Sequence, residues 1–98
     1  MLEIRKTQVF SNWLDGLRDM QGRARVMARV ARLASGNAGD AAPVGEGVSE
    51  LRIHCGPGYR VYYKCHGDQL IVLLAGGDKS TQAKDIGIAL DLARDLEE

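Results

Sequence analysis

Leu2-Glu3-Ile4-Arg5-Lys6 alternates apolar with polar side chains, the period of a short strand. Phe10, Trp13, Leu14, Leu17 and Met20 then recur at intervals of three and four, which predicts a helix beginning just after Thr7, its candidate N-cap, and ending at Gln21-Gly22. A second helix is predicted from about Arg23 to Ala34. Its inward face would carry Ala24, Met27, Val30, Ala31 and Ala34, and its outward face Arg25, Arg29 and Arg32. The two helices, joined by a very short turn, should form an antiparallel hairpin.

Residues 35–47 hold four glycines and a proline, so no regular element is expected there. Strand character returns at Val48 to His54, and again at Tyr59 to Cys65 after Gly56-Pro57-Gly58, a strong hairpin signal. Loop parity fixes which side chains share a face, because directly opposed residues on neighbouring strands point the same way. An even loop would put Arg60 opposite Ile53 and drive a charge into the apolar face. An odd loop over residues 54–58 sets Ile53 opposite Tyr59 and Arg52 opposite Arg60. One face is then apolar, with Leu51, Ile53, Val61 and Tyr63, and the other carries Glu50, Arg52, Arg60, Tyr62 and Lys64.

The run Leu70 to Ala75 is apolar without alternation, as expected of a strand covered on both faces and hence interior to its sheet. Beyond Gly76-Gly77-Asp78-Lys79, Ser80 or Thr81 can cap a last helix with Ile86, Ala89, Leu90, Ala93 and Leu96 on one stripe. The predicted order is strand, helix hairpin, three strands, helix, with no internal repeat.

Ninety-eight residues allow one domain, here spanning residues 1–98. Apolar residues at 45% and charged residues at 27% exclude disorder and low-complexity classes. No apolar run is long enough to span a bilayer, and the first residues have no secretory pattern, so a cytoplasmic protein without a membrane partner is expected. Thirteen basic and thirteen acidic side chains cancel, which on its own argues against a nucleic-acid partner. The distribution reverses that impression. Residues 1–34 hold seven basic against three acidic side chains and residues 48–84 five against three, whereas residues 85–98 hold one against five. A basic body thus carries an acidic end, which either lies away from the Arg52/Arg60 face or screens it.

His54-Cys55 and Cys65-His66 fall at opposite ends of the hairpin, roughly 20 Å apart at about 3.3 Å per residue, too far for a disulfide or one zinc site. Free thiols are expected. No phosphate-binding glycine loop, dinucleotide fingerprint or nucleophile elbow is present. What remains is the cationic strand face, Arg52, Arg60 and Tyr62, with Lys79 at the end of the neighbouring strand. Arginine offers a planar fork for phosphate and tyrosine can stack on a base, although such a face is also the ordinary solvated side of a half-exposed sheet. The arginines of the second helix are read as a solvated face that could also meet RNA phosphates.

Gly47 to Arg52, Gly56-Pro-Gly-Tyr-Arg-Val-Tyr62, Leu73 to Gln82 and Lys84-Asp-Ile86, together with Phe10, Trp13-Leu14 and Leu33-Ala-Ser-Gly-Asn37, resemble the RelE/HigB-like addiction-module killer proteins. The resemblance covers essentially the whole chain. It implies an α+β fold of order β-α-α-β-β-β-α, with a mainly antiparallel four-stranded sheet, two helices on one face and a concave basic face opposite. It further implies a toxin of a type II toxin–antitoxin pair, a metal-independent, cofactor-free, ribosome-dependent mRNA endonuclease. The implied partners are ribosome, mRNA and a cognate antitoxin of helix-turn-helix, HigA-like type. Carried over by position, Arg60 and Arg52 stabilise phosphate, Lys79 is stabiliser or base, Tyr62 orients a nucleotide and His54 is a proton carrier. Lys64, Gln82 and Lys84 join Arg52 and Arg60 as RNA contacts. Residues 85–98 contain neither Tyr nor His, unlike toxins that place a catalytic tyrosine near the C-terminus. A gyrase poison of ParE type and a non-catalytic RNA- or protein-binding module therefore stand as alternatives.

Overall fold

The architecture is that of a computed structural model, which describes residues 2–96. Strand β1 (Glu3–Lys6) leads into α1 (Gln8–Asp15) and α2 (Met20–Ala34), followed by β2 (Ala41–Gly45), β3 (Val48–Ile53), β4 (Tyr59–His66) and β5 (Leu70–Asp78). A single 3-10 turn, Lys79–Thr81, then opens α3 (Gln82–Leu96). The five strands lie in the order β1-β5-β4-β3-β2, with β1 parallel to β5 and every other pairing antiparallel.

The hairpin has the register that parity requires. Ile53 faces Tyr59, Arg52 faces Arg60 and Leu51 faces Val61. Leu51, Ile53, Tyr59, Val61 and Tyr63 form the floor on which Phe10 and Leu14 of α1 and Val26, Val30 and Leu33 of α2 pack. β5 lies inside the sheet and is apolar from Leu70 to Ala75 because α1 covers it on one side and α3 on the other. A bulge between Tyr62 and Tyr63 leaves Leu74 unpaired, so that Leu74 and Ala75 both join the cluster under α3. Gly76 and Gly77 continue that strand where no side chain fits: a Cβ on Gly76 would overlap the Trp13 indole, and one on Gly77 the Asp85 carboxylate.

Thr7 caps α1 as expected. Its Oγ accepts from the Phe10 amide at 3.1 Å and donates to the Leu74 carbonyl at 2.6 Å. Other boundaries differ. Gln21-Gly22 does not end a helix but lies in the first turn of α2, which Asp19 caps by accepting from the Gly22 amide at 3.0 Å. Gly22 is required there because a Cβ would meet the Tyr59 ring, whose hydroxyl donates to Asp19 at 2.7 Å. The inward face of α2 is Val26, Val30, Leu33 and Ala34, whereas Ala24, Met27 and Ala31 are exposed. Met20 belongs to α2, not to the α1 stripe, and is 70% exposed. Asp78, not Ser80 or Thr81, caps the final helical segment, accepting from the Ser80 amide.

Two larger expectations are corrected. Residues 35–47 are not all loop, because Ala41–Gly45 pairs with β3 as an edge strand and makes the sheet five-stranded. The face opposite the helix hairpin is not an open basic concavity. There α3 closes over Val48, Tyr62, Val72, Leu74 and Ala75 with Ala89 and Ala93. No helix among the described residues is long and apolar enough to cross a membrane.

Candidate functional site

Register sets the polar residues of the α3-facing side in two rows across the sheet. One row runs Arg52, Arg60, Gly77, with Asp40 at its outer end, where the Arg52 amide donates to the Asp40 carbonyl at 2.9 Å. The other row runs Ala42, Glu50, Tyr62, Ala75. Glu50, the one charged residue of the second row, lies beside the two arginines of the first and pairs with both.

Glu50 is the centre of the network and is nearly inaccessible, at 3% exposure. Its carboxylate lies 3.4 Å from Arg60 Nε and 3.2 Å from the Arg52 guanidinium, and it accepts from the Gln82 amide of α3 at 2.8 Å. Arg52 continues outward to Asp40 at 3.6 Å, and Asp40 is hydrogen-bonded to His54 Nε2. His54 and Arg52, neighbours of Asp40, hold its carboxyl below the usual carboxylate value, the His54 hydrogen bond being the largest cause. The chain His54–Asp40–Arg52–Glu50–Arg60 thus runs from an exposed imidazole to a buried guanidinium. Both arginines expected to converge on phosphate are answered by carboxylates, so the face is close to neutral.

Tyr62 is wholly buried beneath α3, and its hydroxyl has no hydrogen-bond partner among the described residues. Burial, with Glu50 and Asp85 nearby, pushes its phenol up to about 12. It does not reach a surface where a nucleotide could stack. Asp85 accepts from Thr81 Oγ1 at 2.6 Å and lies over Gly77, beside the Arg60 row, whereas Asp91 pairs with Arg94, which reaches Glu46 at the far end of the strands. Glu97 and Glu98 lie outside the described residues.

Three of the expected site residues do come together. His54, Arg60 and Lys79 line one depression of about 340 Å³ around the β3–β4 turn, Cys55–Gly58. The Lys79 amide donates to the Gly58 carbonyl at 3.1 Å, and a Cβ on Gly58, where φ is +82°, would crowd the Lys79 stem. Glycine at that position therefore supplies both the backbone conformation and the room for the lysine. Lys79 is exposed and has no carboxylate within ion-pair distance among the described residues. Arg60 keeps its guanidinium at the wall through NH1, which donates weakly to the Tyr59 carbonyl at 3.3 Å. Lys64, at the far end of β4, sits beside Glu46 and Gly47, Gln82 is bound to Glu50, and Lys84 is exposed on α3; none of them lines the pocket.

Cys55 and Cys65 are free thiols. No group of three potential metal ligands exists among the described residues. A wider depression, about 860 Å³, lies beside β1 and the C-terminal end of α2, where Glu3, Arg5 and Asp68 offer mixed charge and Arg5 is already paired with Glu3 at 2.8 Å. Asp40 is the residue that sequence reasoning missed. It fell in a segment read as a loop without regular structure, and only the strand β2 that follows it brings it beside Arg52 and His54.

Fold and site together define a small α+β protein with a cationic pocket at one end of a five-stranded sheet. Residues 12–95 match the family described as Phage derived protein Gp49-like (DUF891), and the chain belongs to that family. The family is associated with the toxins of toxin–antitoxin pairs. The chain is also similar to an uncharacterized protein of Haemophilus influenzae (strain ATCC 51907 / DSM 11121 / KW20 / Rd), 47% identical over 95 residues, which are 97% of this chain and 96% of the relative.

Proposed function

We propose that this protein is the toxin of a toxin–antitoxin pair and that it cleaves mRNA on the ribosome without a metal ion, restrained by a cognate antitoxin of helix-turn-helix type. The observation that carries this reading is the convergence of His54, Arg60 and Lys79 on one pocket in a chain of this family. In the proposed reaction a ribose 2′-hydroxyl attacks the adjacent phosphodiester. Its proton passes to the His54 ring nitrogen that Asp40 does not hold, the P–O2′ bond forms, and the P–O5′ bond breaks to leave a 2′,3′-cyclic phosphate. The 5′-oxygen takes its proton from solvent. Lys79 supplies uncompensated positive charge for the phosphorane oxygens, and Arg60 forms the fixed wall behind it. Arg52 acts at one remove, by holding Asp40 and Glu50 in place.

Induced expression in a bacterial host followed by primer extension on abundant mRNAs tests this. Cleavage within translated codons, lost in Lys79→Ala and in His54→Ala with the fold intact, is the expected result. Intact mRNA with a DNA-damage response would replace this reading with a gyrase poison, and induction with no growth defect would leave only a binding module.

A further inference from the structure

The outward side of α2 carries an apolar stripe of its own. Val26, Val30 and Leu33 face the core, yet Met20, Ala24, Met27 and Ala31 follow the 4-3-4 spacing of a helix–helix seam on the exposed side, with Ala28 beside them. Met20 is 70% and Met27 45% exposed, two of the four large apolar side chains left in solvent among the described residues. A helix that needed only to cover the sheet would present polar residues there.

Among the described residues, five of the nine arginines are paired with carboxylates. Arg5, Arg23, Arg52, Arg60 and Arg94 each lie within 4 Å of a carboxylate. Arg25 and Arg32, exposed along one edge of the stripe, have no carboxylate partner among the described residues. Beside them a groove of about 330 Å³ runs between Ala24, Arg25 and Ala28 and the Cys55 end of the β3–β4 turn.

We propose that this side of α2 is the docking surface for an amphipathic helix of a partner protein, one that carries acidic residues beside its apolar stripe. Alanines at alternate seam positions let a second helix approach closely, the methionines supply adaptable apolar contact, and the unpaired arginines select the sign of the flanking charge. A second copy of this chain is a poor occupant, because pairing α2 with itself would set Arg25 and Arg32 against like charges. RNA would use the arginines and leave the methionines wet. The fifteen residues of α2 span about 22 Å, enough for four turns of a partner. A helix seated there would abut the turn that walls the His54/Arg60/Lys79 pocket, so a partner could obstruct that pocket without entering it. The inference does not depend on the chemistry proposed for the pocket.

Binding of two synthetic peptides to the full chain, followed by fluorescence anisotropy, tests it. Both have leucine at the seam positions; one has glutamate on its flanks and the other lysine. The glutamate peptide is expected to bind, Met27→Asp to weaken it at least tenfold, and Arg25→Glu/Arg32→Glu to reverse the preference in favour of the lysine peptide, a change that misfolding cannot produce. Absence of binding, or equal binding of both peptides by every variant, overturns the proposal. So does concentration-dependent self-association that Met27→Asp abolishes, which makes a second copy the occupant. Binding of a short RNA oligonucleotide that charge reversal removes and Met27→Asp preserves makes it an RNA face instead. mRNA cleavage by Met27→Asp should equal that of the unaltered chain, so failure of the docking proposal and failure of the nuclease reading are read separately.

Discussion

Arg60 was legible in the sequence as a cation on the polar face of a hairpin, but its burial was not. Its guanidinium is 8% exposed and sits against a Glu50 carboxylate that is 4% exposed. Removing Arg60 takes away one of the two cations beside Glu50, which keeps Arg52 and Gln82, and empties a buried site. Arg60→Ala is therefore expected to lower stability by about 1–3 kcal/mol in urea denaturation, so that lost activity in this variant does not by itself report on chemistry. Lys79→Ala should leave the midpoint unchanged within about 0.5 kcal/mol, as surface substitutions do, and it is the cleaner probe of the pocket. Asp40 allows a finer test. Its carboxylate holds the His54 ring by one nitrogen, so Asp40→Asn should lower the cleavage rate several-fold while the fold persists. A rate equal to that of the unaltered chain would remove the His54–Asp40 pair from the reaction. Parity could place Arg52 and Arg60 together because it depends only on strand alternation. It could not show that Glu50 and Asp40 neutralise them, since that follows from side-chain directions and from a neighbouring strand.

The elements divide in the same way. The β3–β4 hairpin was readable because alternation and turn chemistry agree, and β5 because burial on both faces leaves a continuous apolar run. β2 was hidden: Ala41-Ala-Pro-Val-Gly45 has no alternation, and its proline is tolerated only because the strand lies at the sheet edge. The inward face of α2 was misassigned because both sides of that helix are apolar, so periodicity alone offered two solutions. α3 was legible as a helix but not as a cover. Its fully buried contacts with the sheet are small side chains, Ala89 and Ala93, flanked by the half-buried Ile86 and Leu90 and helped by Gln82 on Glu50 and by Arg94, which donates to both Glu46 carboxylate oxygens at 2.9 and 2.7 Å. That exposed, solvent-screened pair contributes little to global stability. Arg94→Ala should accordingly change the unfolding midpoint little while speeding amide hydrogen exchange in the last two turns of α3. Uniform exchange in both proteins would show that the pair does not hold the helix end.

Over the whole molecule, the tyrosines report on folding as a set. The Asp19 hydrogen bond pushes Tyr59 up to about 12, burial pushes Tyr62 up to about 12, and burial also raises Tyr63. These are all three tyrosines of the chain. A group whose value is raised on folding contributes stability that is complete below its unfolded value, near 10, and lost as pH climbs through the folded one. Absorbance at 295 nm should therefore show little ionisation at pH 10, then a rise toward pH 12 coincident with loss of far-ultraviolet circular dichroism. Early ionisation of one tyrosine with the fold intact would mean that α3 or α2 opens locally. The lowered carboxyls of Asp19, Asp40 and Glu46 act at the other extreme, their contribution being lost as pH falls below their ordinary values, near 4. The pairing of β1 with β5 has a further consequence, in time rather than in space. Glu3 lies opposite Leu70, and α1 packs chiefly on β5, so the first strand and helix to leave a ribosome must wait for nearly the last. Until then Phe10, Trp13 and Leu14 lack the β5 part of the surface they cover, and a chain interrupted before Leu70 is expected to be a ready substrate for proteases.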